Sequence, residues 1–326
     1  MDLVCPITAT RLAPPGARLK AMNSSTAALP RAIRIKWIVV RATRWIVNTL
    51  ALAGIFLVHI SWPDLIALVL GVVLGLLSVT LCYHRYLSHR CFNTSRWFQF
   101  CLALWGTTNL QRGPIWWAAI HRQHHSRSDK EGDWHSPREG FWHAHHGWLE
   151  SPDILMVSYE RVSDLTKYPE LRFLDSYYYL PALLMAVALA AIGAYLESHY
   201  PELGTNAWQM LIWGFFVRTA IVWQLTFSVN SLLHMWGRKR FDTGDDSRNS
   251  TLLGIINLGD GFHNNHHRYP MSARHGFYWW EIDMTYYVIK LLEALRLVRD
   301  VKTPPAAVLT EGRSSCDKEA MVSRAP

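Results

Sequence analysis

The stretch GDGFHNNHHRYP, residues 259–270, carries three histidines within five residues. His263, His266 and His267 stand at positions i, i+3 and i+4, so on a helix all three share one face. Imidazoles that crowd one face in this way are typical of a metal site. The spacing predicts that this segment is a short helix that binds one metal ion or two.

Two further motifs repeat the pattern. HRQHH at 121–125 has the same spacing, and HRYLSH at 84–89 adds two more histidines, so the three motifs hold eight of the sixteen histidines. Neutral imidazole suits zinc, copper, iron and nickel, so ligand type alone does not choose the metal. Eight imidazoles exceed the four that one tetrahedral zinc takes, which indicates two ions. Two ions that do redox work would be iron, which in pairs activates dioxygen.

His84 and His89 differ from the other two motifs in their spacing. On a regular helix, residues i and i+5 lie about 140° apart. We therefore expect the helix either to end or unwind between them, or to present them to different ions.

The apolar residues are gathered into blocks long enough to cross a bilayer. Half of the 326 residues are apolar and sixteen are tryptophan, and a span needs about 20 apolar residues. We predict four spans, at about 37–60, 64–83, 178–197 and 208–233. Residues 36–302 would form one membrane domain, with residues 1–35 a disordered or transit-like leader and 303–326 a disordered tail. A true start at Met22 is equally consistent with the composition of the leader.

The basic residues predict the orientation of these spans. Of the 33 lysines and arginines, all but Arg218 fall on one side of the four-span arrangement. By the positive-inside rule, both termini and all three histidine motifs are expected on the cytoplasmic face. The positive charge therefore indicates membrane orientation and excludes a nucleic-acid-binding role. The predicted fold is an all-α integral membrane protein, with four transmembrane helices and a cytoplasmic cap that carries a histidine-rich dimetal site.

The order HRYLSH, HRQHH, HNNHH resembles the membrane-bound fatty acyl desaturases of the acyl-CoA delta-9, or stearoyl-CoA, type. The resemblance covers about residues 36–300. It includes four flanking segments: GDWHSPREGFWHAHHGWL at 132–149, NSLLHMWG at 230–237, FDTGDDSRNS at 241–250 and ARHGFYWWEIDMT at 273–285. These segments are most similar to bacterial members, which favours a bacterial inner membrane over an endoplasmic reticulum.

The resemblance implies a non-haem diiron centre that uses dioxygen and two electrons to place a cis double bond, at delta-9, in saturated C16–C18 acyl chains. The implied ligands are nine histidines: His84, His89, His121, His124, His125, His234, His263, His266 and His267. Asn230 is expected to reach an iron through water. Because the sequence has no HPGG-like haem motif, the electrons are expected from a separate donor, a ferredoxin or a cytochrome b5 with its reductase.

The acyl chain needs a dry channel. Counting back along the second span from His84 by about 12 Å, at 1.5 Å per residue, indicates Val72 and Leu76 as the channel floor. We expect Trp117 and Phe227 to line the channel near the metal ions.

Arg112 and Arg138 are candidates for contact with the head group. Residues 119 and 120 are Ala and Ile, where animal acyl-CoA desaturases have an Arg-Asp pair, so the carrier stays open between CoA, acyl lipid and acyl carrier protein. Asp260 opens the third motif where glutamate is usual.

Two other functions remain open at this point. A diiron hydroxylase of fatty acyl or alkyl chains would use the same histidine motifs, and its product would gain a hydroxyl group. A histidine-rich metal transporter would instead place its ligands along a path inside the spans. Of the histidines outside the nine, we expect His143 and His146 to lie at the surface or behind the ligands, and His59, His199 and His275 to be structural.

Overall fold

The structure is a computed structural model that describes residues 30–322 and is mostly helical. In chain order the helices are α1 (Arg31–Leu57), α2 (Trp62–Ser88), α3 (Arg96–Thr107), α4 (Pro114–Arg127), α5 (Phe141–His145), α6 (Ser163–Thr166), α7 (Pro169–Ser176), α8 (Tyr179–His199), α9 (Ala207–His234), α10 (Thr251–Ile256), α11 (His263–Arg268), α12 (Met284–Ala294) and α13 (Ala306–Val322). Single 3₁₀ turns occur at Pro137–Glu139, Gly147–Glu150, Pro152–Leu155, Glu160–Val162 and Pro201–Leu203. Strands β1 (Asn93–Thr94) and β2 (Val298–Arg299) form a short antiparallel ribbon, with Asn93 opposite Arg299.

Four helices, α1, α2, α8 and α9, are long and apolar enough to cross a membrane. Each overlaps one of the predicted spans, and most of the remaining helices and turns form a cap that, together with the end of α2, carries the histidine motifs. The predicted fold class is confirmed. The helix bounds differ from the predicted spans chiefly at α1, which starts at Arg31, and at α2, which continues to Ser88.

The loop between α1 and α2 is closed by local capping. The Ser61 backbone and hydroxyl groups both donate to Asp64, and Pro63 occupies the first turn of α2. These contacts satisfy donors that a helix start leaves free. Thr205, in the loop before α9, donates to the other carboxylate oxygen of Asp64 at 2.6 Å. This contact ties the two loops opposite the cap together.

Arg218 lies buried in α9, and α2 makes room for it with two glycines. Its Nε donates to the carbonyl of Gly71 at 2.9 Å, and its Nη1 donates to that of Thr108 at 3.3 Å. A Cβ on Gly75 would come within 2.5 Å of Nη2. Because backbone carbonyls accept these hydrogen bonds, the arginine joins α2, α9 and the end of α3 and has a structural role.

The tail predicted to be disordered from residue 303 contains a helix. α13 begins at Ala306, directly after Pro304 and Pro305, where proline favours a helix start. Val308 is buried against Phe241 and Tyr278, and Glu311 pairs with Arg268. The prediction of disorder was wrong for this part of the chain because composition alone did not show these contacts. Residues 1–29 of the predicted leader lie outside the described residues.

Candidate dimetal site

All nine histidines predicted as ligands come together in the cap, in two adjacent groups. Group A consists of His84, His89, His121, His125 and His266, and group B consists of His124, His234, His263 and His267. Within each group the candidate ligand atoms lie within 4.8 Å of one another. The structure therefore brings together the whole predicted set, although their role as ligands stays a prediction.

Each HxxHH motif contributes to both groups. On α4, His121 and His125 enter group A, whereas His124, between them in sequence, enters group B. On α11, His266 enters group A, and its neighbour His267 enters group B. Side chains at positions i, i+3 and i+4 lie on one face of a helix but point in different directions. One helical turn can therefore present ligands to two neighbouring metal sites. This sharing fixes the two groups next to each other.

The first motif reaches group A through a widened helix. Residues Ser78–Ser88 of α2 form a π-helical segment, in which the His89 amide donates to the His84 carbonyl at 3.2 Å. An i→i+5 hydrogen bond stacks residue i+5 over residue i. The rings of His84 and His89 accordingly lie 5.1 Å apart and face the same centre. As their spacing predicts, the helix unwinds between them: it widens into the π-helical segment and ends at Ser88, so that both rings reach group A.

In group A the Nε2 atoms converge on one point. Their separations are 3.0 Å between His84 and His266, 2.9 Å between His266 and His125, 3.1 Å between His125 and His121, and 2.7 Å between His121 and His89. Two nitrogens held at right angles about 2.1 Å from one ion would lie about 3.0 Å apart. The residues of group A therefore fit a metal ion bound by five imidazoles.

Group B has the same geometry with four rings. His263 Nε2 lies 3.0 Å from the Nε2 atoms of both His234 and His267. His124 Nε2 is buried and has no hydrogen-bond partner within the described residues. A buried lone pair without a partner is costly, and a metal ion would satisfy it. Group B therefore fits a second ion beside the first.

Four of the rings are oriented by buried carboxylates behind them. The Nδ1 contacts are His84 to Asp260 at 2.7 Å, His124 to Asp133 at 2.9 Å, His234 to Asp129 at 2.7 Å, and His267 to Asp245 at 2.7 Å. Nδ1–H donation to a carboxylate fixes the tautomer that leaves the Nε2 lone pair free for a metal. The orientation of these rings is what a dimetal site requires.

The electrostatics of the site favour neutral imidazoles. Burial, followed by the neighbouring rings of His84 and His89, lowers the pKa of His121 well below its usual value. For His266, burial and the nearby rings of His275 and His84 have the same effect on the pKa. Rings of this kind are neutral at pH 7, and a histidine binds a metal in its neutral form.

The carboxylates, by contrast, stay ionised. Burial alone would raise the pKa of Asp245, yet the hydrogen bond from His267 holds that pKa well below its usual range. Burial also opposes ionisation of Asp260, and contacts with His84, His275 and Arg85 lower its pKa instead. The site thus combines neutral ligands with fixed negative charge behind them, which offsets the charge of bound cations.

Three of these carboxylates were not among the predicted site residues. Asp129, Asp133 and Asp245 lie in the segments SDKEGDW and FDTGDDSRNS, whose density of aspartates beside the histidine motifs was the available signal. His275, predicted to be structural, lies with its ring 4.4 Å from that of His266 and its Nδ1 3.1 Å from Asp260. His135, also not predicted, lies with its ring 4.3 Å from that of His124.

Replacing Asp245 with asparagine should lower the affinity of group B for its metal, and with it the activity, by about 10–100-fold, as loss of a carboxylate behind a ligand typically does. The change removes the negative charge that orients His267, and the amide keeps the shape of the side chain. Metal analysis of the purified protein, with a parallel activity assay, measures the effect. Asp242→Asn is the matched control, since Asp242 is exposed; equal behaviour of the two variants would contradict the role of Asp245.

A cavity adjoins group A. It encloses about 820 Å³ of empty space, part of it open to solvent, and its walls include Arg112, Trp117, His121, Phe227 and Asn230. Most of the remaining wall is apolar. Two predicted channel residues, one predicted head-group residue and the predicted water-mediated ligand therefore lie on a single cavity beside a histidine group.

Other predicted substrate residues lie elsewhere. Val72 and Leu76 pack in an apolar cluster with Val79 and Val222, and only Trp117 joins this cluster to the cavity. They do not line the cavity itself, because it lies between α1, α4 and α9 and not along α2. Arg138 is exposed and pairs with Asp246 at 2.7 Å.

Of the histidines at 143–146, His145 makes the contacts that join α5 to α9. His145 is buried, with Nδ1 2.9 Å from the Ser231 hydroxyl and Nε2 2.9 Å from the Gln224 side-chain oxygen. These contacts join α5 to α9. His143 lies 3.1 Å from the Trp134 carbonyl, and His146 is exposed. None of the three belongs to either group.

Comparison with known proteins agrees with the geometry. The family model described as "Fatty acid desaturase" matches residues 60–296, which include the second to fourth spans and all nine histidines. The chain belongs to the fatty acid desaturase family. The expected resemblance is confirmed at this level.

Relatives of this desaturase family member include lipid and acyl-CoA enzymes. The chain is 40% identical over 245 residues to a palmitoyl-monogalactosyldiacylglycerol delta-7 desaturase of Arabidopsis thaliana, covering 74% of this chain and 62% of that protein. It is 38% identical over 248 residues to an acyl-CoA C20 Delta5-desaturase of Anemone leveillei, covering 75% of each. It is 37% identical over 247 residues to an sn-1 stearoyl-lipid 9-desaturase of Anabaena variabilis, covering 75% and 86%.

Proposed function

We propose that this protein is an oxygen-dependent fatty acyl desaturase that introduces a cis double bond, at delta-9, into saturated C16–C18 chains. The observation that carries the proposal is that the two histidine groups lie side by side and that group A borders a largely apolar cavity through His121. Relatives named as stearoyl- and palmitoyl-lipid 9-desaturases support the position of the bond and the chain length. The proposed role of the protein is unsaturated fatty acid biosynthesis.

The chemistry requires an oxidant. A methylene in a saturated chain has no acidic proton and no leaving group, so general acid–base or nucleophilic groups cannot start the reaction. When bound by groups A and B, two iron ions with dioxygen supply the oxidising power to remove two hydrogens from adjacent methylenes. The nine histidines hold this pair, and Asn230 lies one helical turn before His234 on the cavity wall, suited to contact through water.

The residues of the chain itself position the substrate. The ring of Trp117 stacks on that of His121, with centroids 5.0 Å apart. Trp117 is held by a hydrogen bond to Gln111, which in turn donates to Thr226 at 2.9 Å. This polar chain fixes an aromatic wall next to group A, and with Phe227 it keeps water from the reacting carbons. The acyl chain would pass His121 at this wall.

The proposed setting is a membrane with the cap on the cytoplasmic side, in a bacterial inner membrane. The basic residues outside the spans support this orientation. In this proposal the two electrons come from a ferredoxin or from cytochrome b5 with its reductase. The acyl carrier in this proposal is CoA or a membrane lipid.

The test is expression in a host that cannot make monounsaturated fatty acids, with mass spectrometry of derivatised lipids to locate new double bonds. A 9-cis monounsaturated C16 or C18 product is expected. A hydroxylated chain would instead move the protein to the hydroxylase alternative. Metal uptake into vesicles containing the protein, without any change in fatty acids, would favour the metal-transporter alternative.

A further inference from the structure

The rings of group A differ in what holds them from behind. The Nδ1 of His84 lies 2.7 Å from Asp260, and this contact fixes the ring. His266 is completely buried, yet its Nδ1 has no hydrogen-bond partner among the described residues. A ring that binds a metal through Nε2 carries its proton on Nδ1, and a buried N–H without an acceptor is costly. A metal-binding His266 therefore needs an acceptor behind it.

His275 is a ring from outside the two groups that packs against His266. The ring centroids lie 4.4 Å apart, with the ring planes inclined by 35°. His275 is completely buried, and neither of its nitrogens has an aligned hydrogen-bond partner within the described part of the chain. These two histidines thus hold three buried nitrogen atoms without partners, Nδ1 of His266 and both nitrogens of His275. Such atoms are rare in native structures, and each one calls for an explanation.

Asp260 lies behind both His84 and His275. Its second oxygen, Oδ1, is 3.1 Å from Nδ1 of His275, so a small rotation of the ring aligns Nδ1–H with that oxygen. Oδ1 also accepts a hydrogen bond from Arg85 at 3.0 Å. A buried cation at this position disfavours a second positive charge, which keeps His275 neutral. A neutral ring that donates from Nδ1 presents a lone pair at Nε2.

The second ring that lacks a support has different neighbours. His263, in group B, also has a buried Nδ1 without a partner among the described residues. The rings that contact it are those of His234, His266 and His267, all of them predicted ligands. Of these two unsupported rings in the described structure, only His266 has a histidine from outside the groups against it.

We propose that His275 is a positioning residue for His266: its Nε2 accepts a hydrogen bond from Nδ1 of His266, and its own Nδ1 donates to Asp260. One carboxylate then holds two rings of group A, His84 directly and His266 through His275. All three nitrogen atoms gain partners in this arrangement. The inference rests on the proposed dimetal function and adds to it a histidine that binds no metal itself.

The backbone of His275 is fixed independently of its ring. Its N–H donates to Asp283 at 2.7 Å, and its carbonyl accepts from the side chain of Asn265 at 2.9 Å. Asn265 directly precedes His266 on α11. Substitutions of the His275 side chain leave these backbone contacts in place, so the loop should keep its distance from α11 in each variant.

Three variants separate the shape of the ring from its hydrogen bonds. His275→Phe keeps an aromatic ring and removes both nitrogens. His275→Gln places its terminal amide where Nε2 stands, so it can still accept from His266. His275→Asn places its shorter amide where Nδ1 stands, so it can contact Asp260 but does not reach His266.

Titration of the metal-free protein in detergent with cobalt(II) measures the two groups separately. Group A offers five imidazoles and group B four, and four-coordinate cobalt(II) absorbs visible light much more strongly than five-coordinate cobalt(II). His275→Phe and His275→Asn should weaken cobalt binding at group A by about 10–100-fold, the usual effect of losing a support behind a ligand. His275→Gln should bind like the original protein. Group B should be unchanged in all three variants, which also shows that the cap is folded.

Three results would overturn the inference and leave the proposed function intact. The first is unchanged binding at group A in all variants. The second is a loss that follows the shape of the ring, with His275→Phe intact and His275→Gln weakened. The third is an equal loss at both groups, which would indicate a general role in the stability of the cap. An original protein that binds no cobalt at either group would contradict the proposed function as well.

Discussion

Replacing His266 with alanine should reduce desaturation by more than about 100-fold. His266 belongs to group A, and its Nε2 lies 3.0 Å from that of His84 and 2.9 Å from that of His125. Loss of a group behind a ligand already costs about 10–100-fold in metal affinity or activity. Loss of the ligand itself should cost more, because the ion loses one of five donors and its place beside group B.

Two measurements follow this change. The first is the amount of monounsaturated fatty acid formed in the complemented host, and the second is the metal content of the purified variant, which should fall to about half. His146→Ala is the control, since that ring is exposed and outside both groups. A His266→Ala protein that keeps its full metal content and more than a tenth of its activity would show that group A is not a metal site.

Replacing Arg85 with methionine should have the largest effect on stability. Arg85 is fully buried, and its guanidinium pairs with Asp260 at 3.0 Å and Asp283 at 2.9 Å. It also donates to the carbonyl of Ala273 at 2.6 Å. Removing one partner from a buried ion pair costs about 3–5 kcal/mol, because the remaining charge is left without compensation. Here two carboxylates would be left, and Asp260 also orients His84.

Thermal unfolding in detergent, followed for the metal-free protein, measures this effect without the contribution of metal binding. Arg96→Met is the matched control: Arg96 pairs with Glu170 at 2.7 Å, but its side chain is 63% exposed. Exposed pairs contribute at most about 1 kcal/mol. A midpoint for Arg85→Met no lower than that for Arg96→Met would contradict the structural role of the buried network.

Eight of the nine clustered histidines could be predicted from their spacing, which is a local property, whereas His234 was implied only by the family resemblance. The i, i+3, i+4 pattern of His263, His266 and His267 needs only a helix to bring the rings together. Whether these histidines bind one metal ion or two depends on the orientation of α11 relative to α4 and α2. The residues within the motif do not determine that orientation. The spacing of His84 and His89 correctly predicted that α2 does not stay regular between them, but the form of the change, a π-helical segment, depends on the surrounding packing.

Asp129 was missed because the ring that it orients is distant in sequence, whereas Asp133 lies only nine residues after His124. Asp129 orients His234 across 105 residues, and Arg85 meets Asp283 across 198. In the sequence these residues look like ordinary charges of loops and span ends. The four helices long and apolar enough to span a membrane, in contrast, follow from composition, and six of their eight ends lie within three residues of the predicted bounds.

The channel floor was inferred from a distance along α2, which presumes that the acyl chain runs parallel to that helix. The cavity instead lies between α1, α4 and α9, so Trp117 and Phe227 line it, whereas Val72 and Leu76 pack behind Trp117. Counting residues along α2 gives a distance along that helix, but it does not give the direction in which the cavity lies.

The central claim, that two groups of histidines hold two iron ions, is tested most directly by the metal content of the purified protein. Inductively coupled plasma mass spectrometry should find two irons per chain, and X-ray absorption at the iron edge should show coordination dominated by imidazole nitrogen. A single metal per chain, or zinc in place of iron in protein that is active, would contradict the claim.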